Sequence, residues 1–186
     1  ESMNVLTQFL KNWIEDCRGL AAVEASMSFP VMILLLMGTF DLGYGILAAQ
    51  KVIRASQVTA DLISRQRQVN DQEIDEFITA CELAMSGYNT ESYGVDMISI
   101  EYEEDDEVEY LWCRTVNMPA NDVAVESIGG MGTPGEGIVV VTVNYVYTPL
   151  FSGFVINDIF MEEVAFVRGR LTPTVPHEDG SSCVRA

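Results

Sequence analysis

Basic residues are scarce in this chain. Its 186 residues include 10 Lys and Arg against 28 Asp and Glu, which gives a formal net charge of −18. A surface this acidic repels the phosphate backbone of DNA and RNA, so we expect no nucleic-acid partner. The same charge disfavours a chain that lies flat on anionic lipid.

Groups that serve catalysis and metal binding are also few. The chain has one histidine, His177, and no C-x-x-C, G-x-S-x-G or G-K-[ST] motif. The acidic run at 103–107 lacks the spaced D-x-D-x-D-G pattern of a calcium loop, so a solvated turn is favoured over a Ca²⁺ site. We therefore expect no enzyme activity, no metal and no cofactor.

The rest of the chain is organised around a long apolar run, residues 20–50. Between Arg18 and Lys51 only Glu24 and Asp41 carry a formal charge. A helix needs roughly 20 apolar residues to span a bilayer, and no soluble helix needs apolar residues on every face. The run therefore predicts a transmembrane helix, with residues 1–19 on one side and most of the chain on the other.

The residues in front of this run are not those of a secretory signal, which has a shorter apolar core followed by an A-x-A-like cleavage site. Here Arg18 and Gly19 precede the apolar run, and Glu24 lies inside it. A carboxylate at that depth is usually paired or functional. The alternative is that Glu24 lies at headgroup level, near the edge of the membrane.

The segment R-G-L-A-A-V-E at 18–24, with F-P-V at 29–31 and G-T-F-D-L-G at 38–43, resembles the TadE family. TadE-like proteins are pseudopilins or minor pilins of the tight-adherence (Tad) system, which builds type IVc pili. The resemblance implies that a prepilin peptidase cuts between Gly19 and Leu20. It also implies that Glu24 pairs with the new α-amine of Leu20, on the same or a neighbouring subunit. The family often has an aromatic residue after the Glu, where this chain has Ala25.

The resemblance implies a structural role in the assembly of a type IVc pilus, through packing of the N-terminal helix. The implied partners are the prepilin peptidase, other pilins and pseudopilins of the Tad apparatus, the inner-membrane assembly platform and membrane lipid. Residues 1–19 would be a cytoplasmic leader, 20–50 a single inner-membrane span and 51–170 a periplasmic pilin-like domain. The mature protein could also enter the extracellular pilus. An uncleaved, membrane-anchored periplasmic binding module is the alternative.

The basic residues around the helix favour the opposite orientation. Those on the N-terminal side are Lys11 and Arg18, and those beyond the run are Lys51, Arg54, Arg65 and Arg67. The positive-inside rule then favours an outward N-terminus. We nevertheless expect a cytoplasmic N-terminus, because the processing site is cut on that face in the family and the later cysteines fit an oxidising periplasm.

Two residues within the run carry separate expectations. Pro30 removes one helical hydrogen bond, so it either lets the helix bend in a filament or is an ordinary tolerated transmembrane proline. Asp41 lies about 25 Å along the helix from Glu24. We expect it to reach the far headgroup zone and to be solvated.

Beyond the membrane, the pattern predicts an α+β, pilin-like domain. The helix should continue to about Gln66, and Asn70 with Glu73 forms a capping box for a second helix. Alternation of period two then predicts a hairpin over about 98–113 and strands over 138–147 and 163–170. We expect an antiparallel sheet of about four strands, followed by a tail over 171–186 that is loose or pinned at Cys183.

Three cysteines follow the apolar run, namely Cys81, Cys113 and Cys183, whereas Cys17 would leave with the leader. They allow three possible disulfides, each with one thiol left over, and the sequence does not choose among them. Cys81 lies on the apolar face of the second predicted helix, where a buried free thiol is as compatible as a disulfide.

Overall fold

Three helices and five strands make up the part of the chain that the computed structural model describes, which is residues 18–88, 92–104, 107–151, 157–180 and 182–184. The helices are α1 (Arg18–Ser64), α2 (Asp71–Ala84) and α3 (Asp122–Glu126). The strands are β1 (Tyr93–Tyr102), β2 (Val108–Val116), β3 (Gly137–Tyr147), β4 (Ile159–Arg168) and β5 (Ser182–Val184). The predicted α+β class is thereby confirmed.

Helix α1 has 47 residues, which corresponds to about 70 Å at 1.5 Å per residue. It passes through Pro30 without interruption and ends at Ser64, close to the predicted end. The amides of Arg65 and Gln66 then bond to the carbonyls three residues before them and close a tight final turn. The helix therefore continues well past residue 50, through the predicted membrane span and into the domain.

Helix α2 begins at the capping box that its sequence predicts. The Asn70 side chain accepts a bond from the Glu73 amide at 2.9 Å, and the Glu73 carboxylate accepts one from the Asn70 amide at 3.1 Å. Two of the otherwise unpaired amides at the start of the helix are thus satisfied. Its buried side chains are Ile74, Phe77 and Cys81.

The strands form one sheet in the order β4-β3-β1-β2-β5. The first four are antiparallel to their neighbours, which confirms the predicted four-stranded antiparallel sheet and its β1–β2 hairpin. The short β5 is an addition, since it pairs parallel to β2 from a segment expected to be a tail. A change of register between Ser99 and Ile100 marks a bulge in the hairpin.

Both faces of the sheet are covered, which explains why β3 is a nearly continuous apolar run. Helices α1 and α2 cover one face, which includes Val95, Met97, Val141 and Val143. Helix α3 and its flanking loops cover the other face, where Ile100 and Val140 pack against Val125 and Ile128. Strand β3 therefore has core contacts on both sides, as a central strand should.

Residues 171–180, here called the C-terminal strap, are not loose, and that expectation was wrong. The Val175 carbonyl accepts bonds from the Ser99 hydroxyl at 2.8 Å and the Trp112 indole at 2.9 Å. Val69, in the turn between α1 and α2, pairs with the backbone of Pro176 and Glu178. The strap has no periodic pattern because partners far away in the sequence, rather than regular secondary structure, satisfy its backbone.

Candidate membrane-anchoring and assembly site

The first half of α1 is apolar and lies free of the domain. Ten large apolar side chains between Leu20 and Phe40 are 42–73% exposed. These 21 residues extend about 31 Å, close to the roughly 30 Å of a bilayer core. Among the residues that the structure describes, α1 is the one helix with the length and composition to cross a membrane. A free apolar surface of this size is typical of a membrane or protein–protein contact.

The polar groups of this segment are compatible with lipid. The hydroxyls of Ser26, Ser28 and Thr39 each donate to a backbone carbonyl three or four residues earlier, at 2.7–2.9 Å. In a bilayer each polar group must find its partner inside the protein. These three do so within the helix itself.

The two residues of the predicted processing site lie in the first turn of α1. Both Gly19 and Leu20 are exposed, and a Cβ added to Gly19 would meet no atom within 4 Å. The peptide bond that joins them is therefore not covered by any part of the chain that the structure describes. Residues 1–17 of the predicted leader lie outside the described residues.

Glu24 is exposed and lies one helical turn after Leu20, so the two residues share a face of α1. Within the described parts of the chain, its carboxylate forms no ion pair or hydrogen bond. An unpaired carboxylate inside a membrane-length apolar helix is costly. The position can therefore receive a cationic partner from outside the described chain.

Asp41 is buried, with 1% of its surface exposed, so the expectation of a solvated carboxylate was wrong. Its Oδ1 accepts a long bond from the amide of Phe151 at 3.4 Å, and its backbone carbonyl accepts one from the Tyr147 hydroxyl at 3.3 Å. The end of β3 and the turn after it fold over this point of the helix. Those residues lie more than 100 positions away in sequence, so no local pattern predicts the contact.

From Asp41 onwards one face of α1 packs on the sheet. The buried positions recur every three or four residues and are mostly small: Asp41, Gly45, Ala48, Val52, Ala55, Ser56, Thr59, Ala60, Ile63 and Ser64. A Cβ added to Gly45 would be 3.4 Å from the Tyr147 ring. Small side chains therefore allow the helix to lie close against the strands.

A tyrosine-lined pocket of about 390 Å³ opens beside this junction, between α1, the end of α2 and β3. Its aromatic residues are Tyr44, Tyr88, Tyr145 and Tyr147. The Lys51 ammonium lies 5.0 Å from the centre of the Tyr88 ring and donates to the Ser86 carbonyl. Burial raises the pKa of both Tyr88 and Tyr147 above the ordinary value of a tyrosine hydroxyl.

Of the three cysteines after α1, two form a disulfide and one is a free thiol. Cys113 and Cys183 form a disulfide that fixes β5 to β2, and Cys81 is a buried thiol in α2. Burial raises the pKa of Cys81, with opposing contributions from hydrogen bonds to Thr59 and Tyr93. Across the described ranges, no group of three or more His, Cys, Asp or Glu is arranged to hold a metal ion.

An exposed apolar helix of bilayer length that leads into an α+β domain is compatible with a membrane anchor. Residues 19–61 match the family model described as TadE-like protein, which confirms the predicted resemblance. The similarity to TadE-like proteins is therefore shown for this segment of the chain. The match includes Gly19, Leu20, Glu24 and Pro30 and ends before α2. No curated protein and no solved structure matches the chain.

Proposed function

We propose that this chain is a minor pilin that takes part in the assembly of a type IVc pilus by a Tad system. A prepilin peptidase removes the leader between Gly19 and Leu20, and α1 remains in the inner membrane. The exposed apolar segment from Leu20 to Phe40, within the residues that match the TadE-like family, carries the proposal. A helix of this kind is accommodated first by lipid and then by the apolar helices of other pilins.

Glu24 has the central role in assembly. Cleavage would create an α-amine at Leu20, one turn from the Glu24 carboxylate, so the two charges can pair within one chain or between neighbours. In a low-dielectric environment this pairing is far stronger than at a surface. A carboxylate left unpaired there is heavily penalised. Pairing with a neighbour's amine therefore favours one axial register of the packed helices.

The other partners follow from the same role: further pilins and pseudopilins, the inner-membrane assembly platform and the surrounding lipid. The role is structural, and we assign no reaction to the chain. The domain after the helix lies in the periplasm, and the Cys113–Cys183 disulfide supports this placement because such bonds persist in oxidising compartments.

Replacement of Glu24 tests the assembly role. A Glu24→Gln strain is expected to process the protein and insert it in the membrane but to lack pili, because glutamine keeps the size of the side chain and removes its charge. Ser28→Ala is the matched control, one turn further along the exposed helix. The measurements are the mass of the N-terminal peptide and the yield of sheared pili. Normal pili from the Glu24→Gln strain would remove the proposed role.

An uncleaved, membrane-anchored binding module is the second candidate, and the tyrosine-lined pocket is the observation that favours it. The two functions differ in the N-terminus of protein purified from its host. A chain that starts at Leu20 supports the pilin, whereas a chain that retains Cys17 supports the anchored module.

A further inference from the structure

We propose that the turn after β3 is a second membrane contact. Leu150 and Phe151, together with Tyr44 on α1, form an interfacial patch that lies in the headgroup zone of the bilayer that α1 crosses. The proposal rests on the proposed membrane insertion of α1, and it adds a contact that holds the domain in one orientation against the lipid surface.

The position of the bilayer along α1 sets the level of this patch. Up to Phe40 the helix is free of the domain, whereas from Asp41 one face is buried against the domain and the outer face keeps exposed apolar residues such as Leu42 and Ile46. Because Leu20 to Phe40 extends about one hydrocarbon thickness, the boundary of the bilayer core falls near Phe40. Tyr44 follows one turn later, at the depth where tyrosine is enriched in membrane proteins.

The turn after β3 is held at the same level. The Phe151 amide bonds to the Asp41 carboxylate, and the Tyr147 hydroxyl bonds to the Asp41 carbonyl. Leu150 and Tyr44 both line the tyrosine-lined pocket described above. The turn therefore lies beside the helix at the point where the helix would leave the lipid.

The patch has the chemistry of a lipid contact and not that of a solvated turn. Leu150 is 70% exposed, Tyr44 46% and Phe151 36%. The side chains of Leu150 and Phe151 are purely apolar, so water does not favour their exposure. Between Glu136 and Asp158 the sequence has no charged residue, in a chain with a net charge of −18. A bilayer accepts this uncharged apolar turn, and it continues the lipid contact already required by the adjoining helix.

Bromine quenching of an introduced tryptophan tests the patch in the full chain. Leu150→Trp is reconstituted in phosphatidylethanolamine–phosphatidylglycerol vesicles, with or without acyl chains brominated near the headgroup, and the emission of the unsubstituted protein is subtracted. The matched control is Leu171→Trp. Leu171 is also an exposed leucine, at 61%, but its neighbour Arg170 bonds to Ser64 at the far end of α1, about 35 Å from Asp41. Phe40→Trp reports insertion of the helix.

The expected result is that brominated lipid quenches most of the added fluorescence of Leu150→Trp and Phe40→Trp. The added fluorescence of Leu171→Trp should not be quenched. If Phe40→Trp is quenched but Leu150→Trp behaves like Leu171→Trp, the patch is overturned while the anchor stands. The patch is also overturned if the tryptophan at position 150 is removed from water only at high protein-to-lipid ratios. In that case a second copy of the chain, and not lipid, covers this residue. If Phe40→Trp also escapes quenching, the membrane anchor itself is overturned.

Discussion

The hydroxyl of Tyr147 donates a hydrogen bond to the backbone carbonyl of Asp41 across 3.3 Å, and this bond connects the last residue of β3 to α1. The contact lies where the exposed part of the helix becomes its packed part. One turn further along, Gly45 leaves room for the ring of the same tyrosine. The helix and the sheet are therefore joined through a side chain that packs against a small residue of the helix.

Enlargement of Gly45 should weaken this junction. A leucine there would displace the Tyr147 ring, and overpacking of this kind typically costs about 1–3 kcal/mol. We expect Gly45→Leu to lower the free energy of unfolding by that amount for the full chain in detergent. The measurement is a urea titration followed by the fluorescence of Trp112, which is buried in the domain.

Gly43→Leu is the control for this change, since a Cβ there meets nothing within 4 Å. It alters helix propensity in the same way but touches no part of the sheet. Equal loss of stability in the two variants would mean that the contact with Tyr147 does not hold the helix in place.

The C-terminal strap gives a second prediction, because one buried carbonyl receives two donors. Ser99→Ala or Trp112→Phe alone leaves the Val175 carbonyl with one partner, whereas the double variant leaves it with none. An unsatisfied buried carbonyl costs about 1–3 kcal/mol, which exceeds the net contribution of an ordinary hydrogen bond. We expect the double variant to lose more stability than the sum of the single variants.

Urea unfolding followed by the near-ultraviolet circular dichroism of the tyrosines measures all four proteins, including those without Trp112. The four proteins form a double-mutant cycle, in which Trp112→Phe is made both with Ser99 present and with Ser99 replaced. The change in volume from indole to phenyl occurs in both comparisons and therefore cancels. Strict additivity would show that water or movement of the strap satisfies the carbonyl, and the proposed anchoring by two donors would then be wrong.

The sequence predicts the parts of the fold that local pattern determines. The continuous apolar run predicts α1, the Asn70–Glu73 pair predicts the start of α2, and alternation predicts β1 and β2. Each of these depends on residues a few positions apart. The roles predicted for Gly19 and Glu24 also depend on residues a few positions apart, because both belong to a short motif at the start of an apolar helix.

Contacts between residues that are distant in sequence leave no such local pattern. The burial of Asp41 depends on Phe151, and the order of the strap depends on Ser99 and Trp112. None of these segments carries a periodic signal that points to its partner. The choice of disulfide also depends on topology, since the parallel pairing of β5 with β2 places Cys183 opposite Cys113.

The buried thiol of Cys81 provides a chemical test of the packing between α1 and α2. Burial raises its pKa, and the thiolate is the reactive form, so the native protein should be alkylated much more slowly than the unfolded protein at pH 8. Since the folded-state pKa is raised, this thiol favours the folded state at neutral pH. That contribution is lost as the pH rises through the folded-state pKa.

The measurement is the number of alkylated cysteines, by mass spectrometry without reduction, before and after unfolding. The disulfide protects Cys113 and Cys183, so protein processed at Gly19 should gain one label, on Cys81. Rapid labelling of Cys81 in the native state would contradict the packing described for α2.

Gly19→Ala should block removal of the leader without any change in the helix. Nothing lies within 4 Å of an added Cβ at this position, and alanine is a better helix former than glycine by about 1 kcal/mol. Failure to process the variant would therefore reflect a peptidase that requires glycine before the cut, and not a misfolded substrate. Gly43→Ala is the matched control, because it makes the same change at another unobstructed position of α1 and should be processed normally. The N-terminal masses of the three proteins from the host distinguish these outcomes: wild type and Gly43→Ala should begin at Leu20, and a Gly19→Ala chain that also begins there would contradict the requirement for glycine.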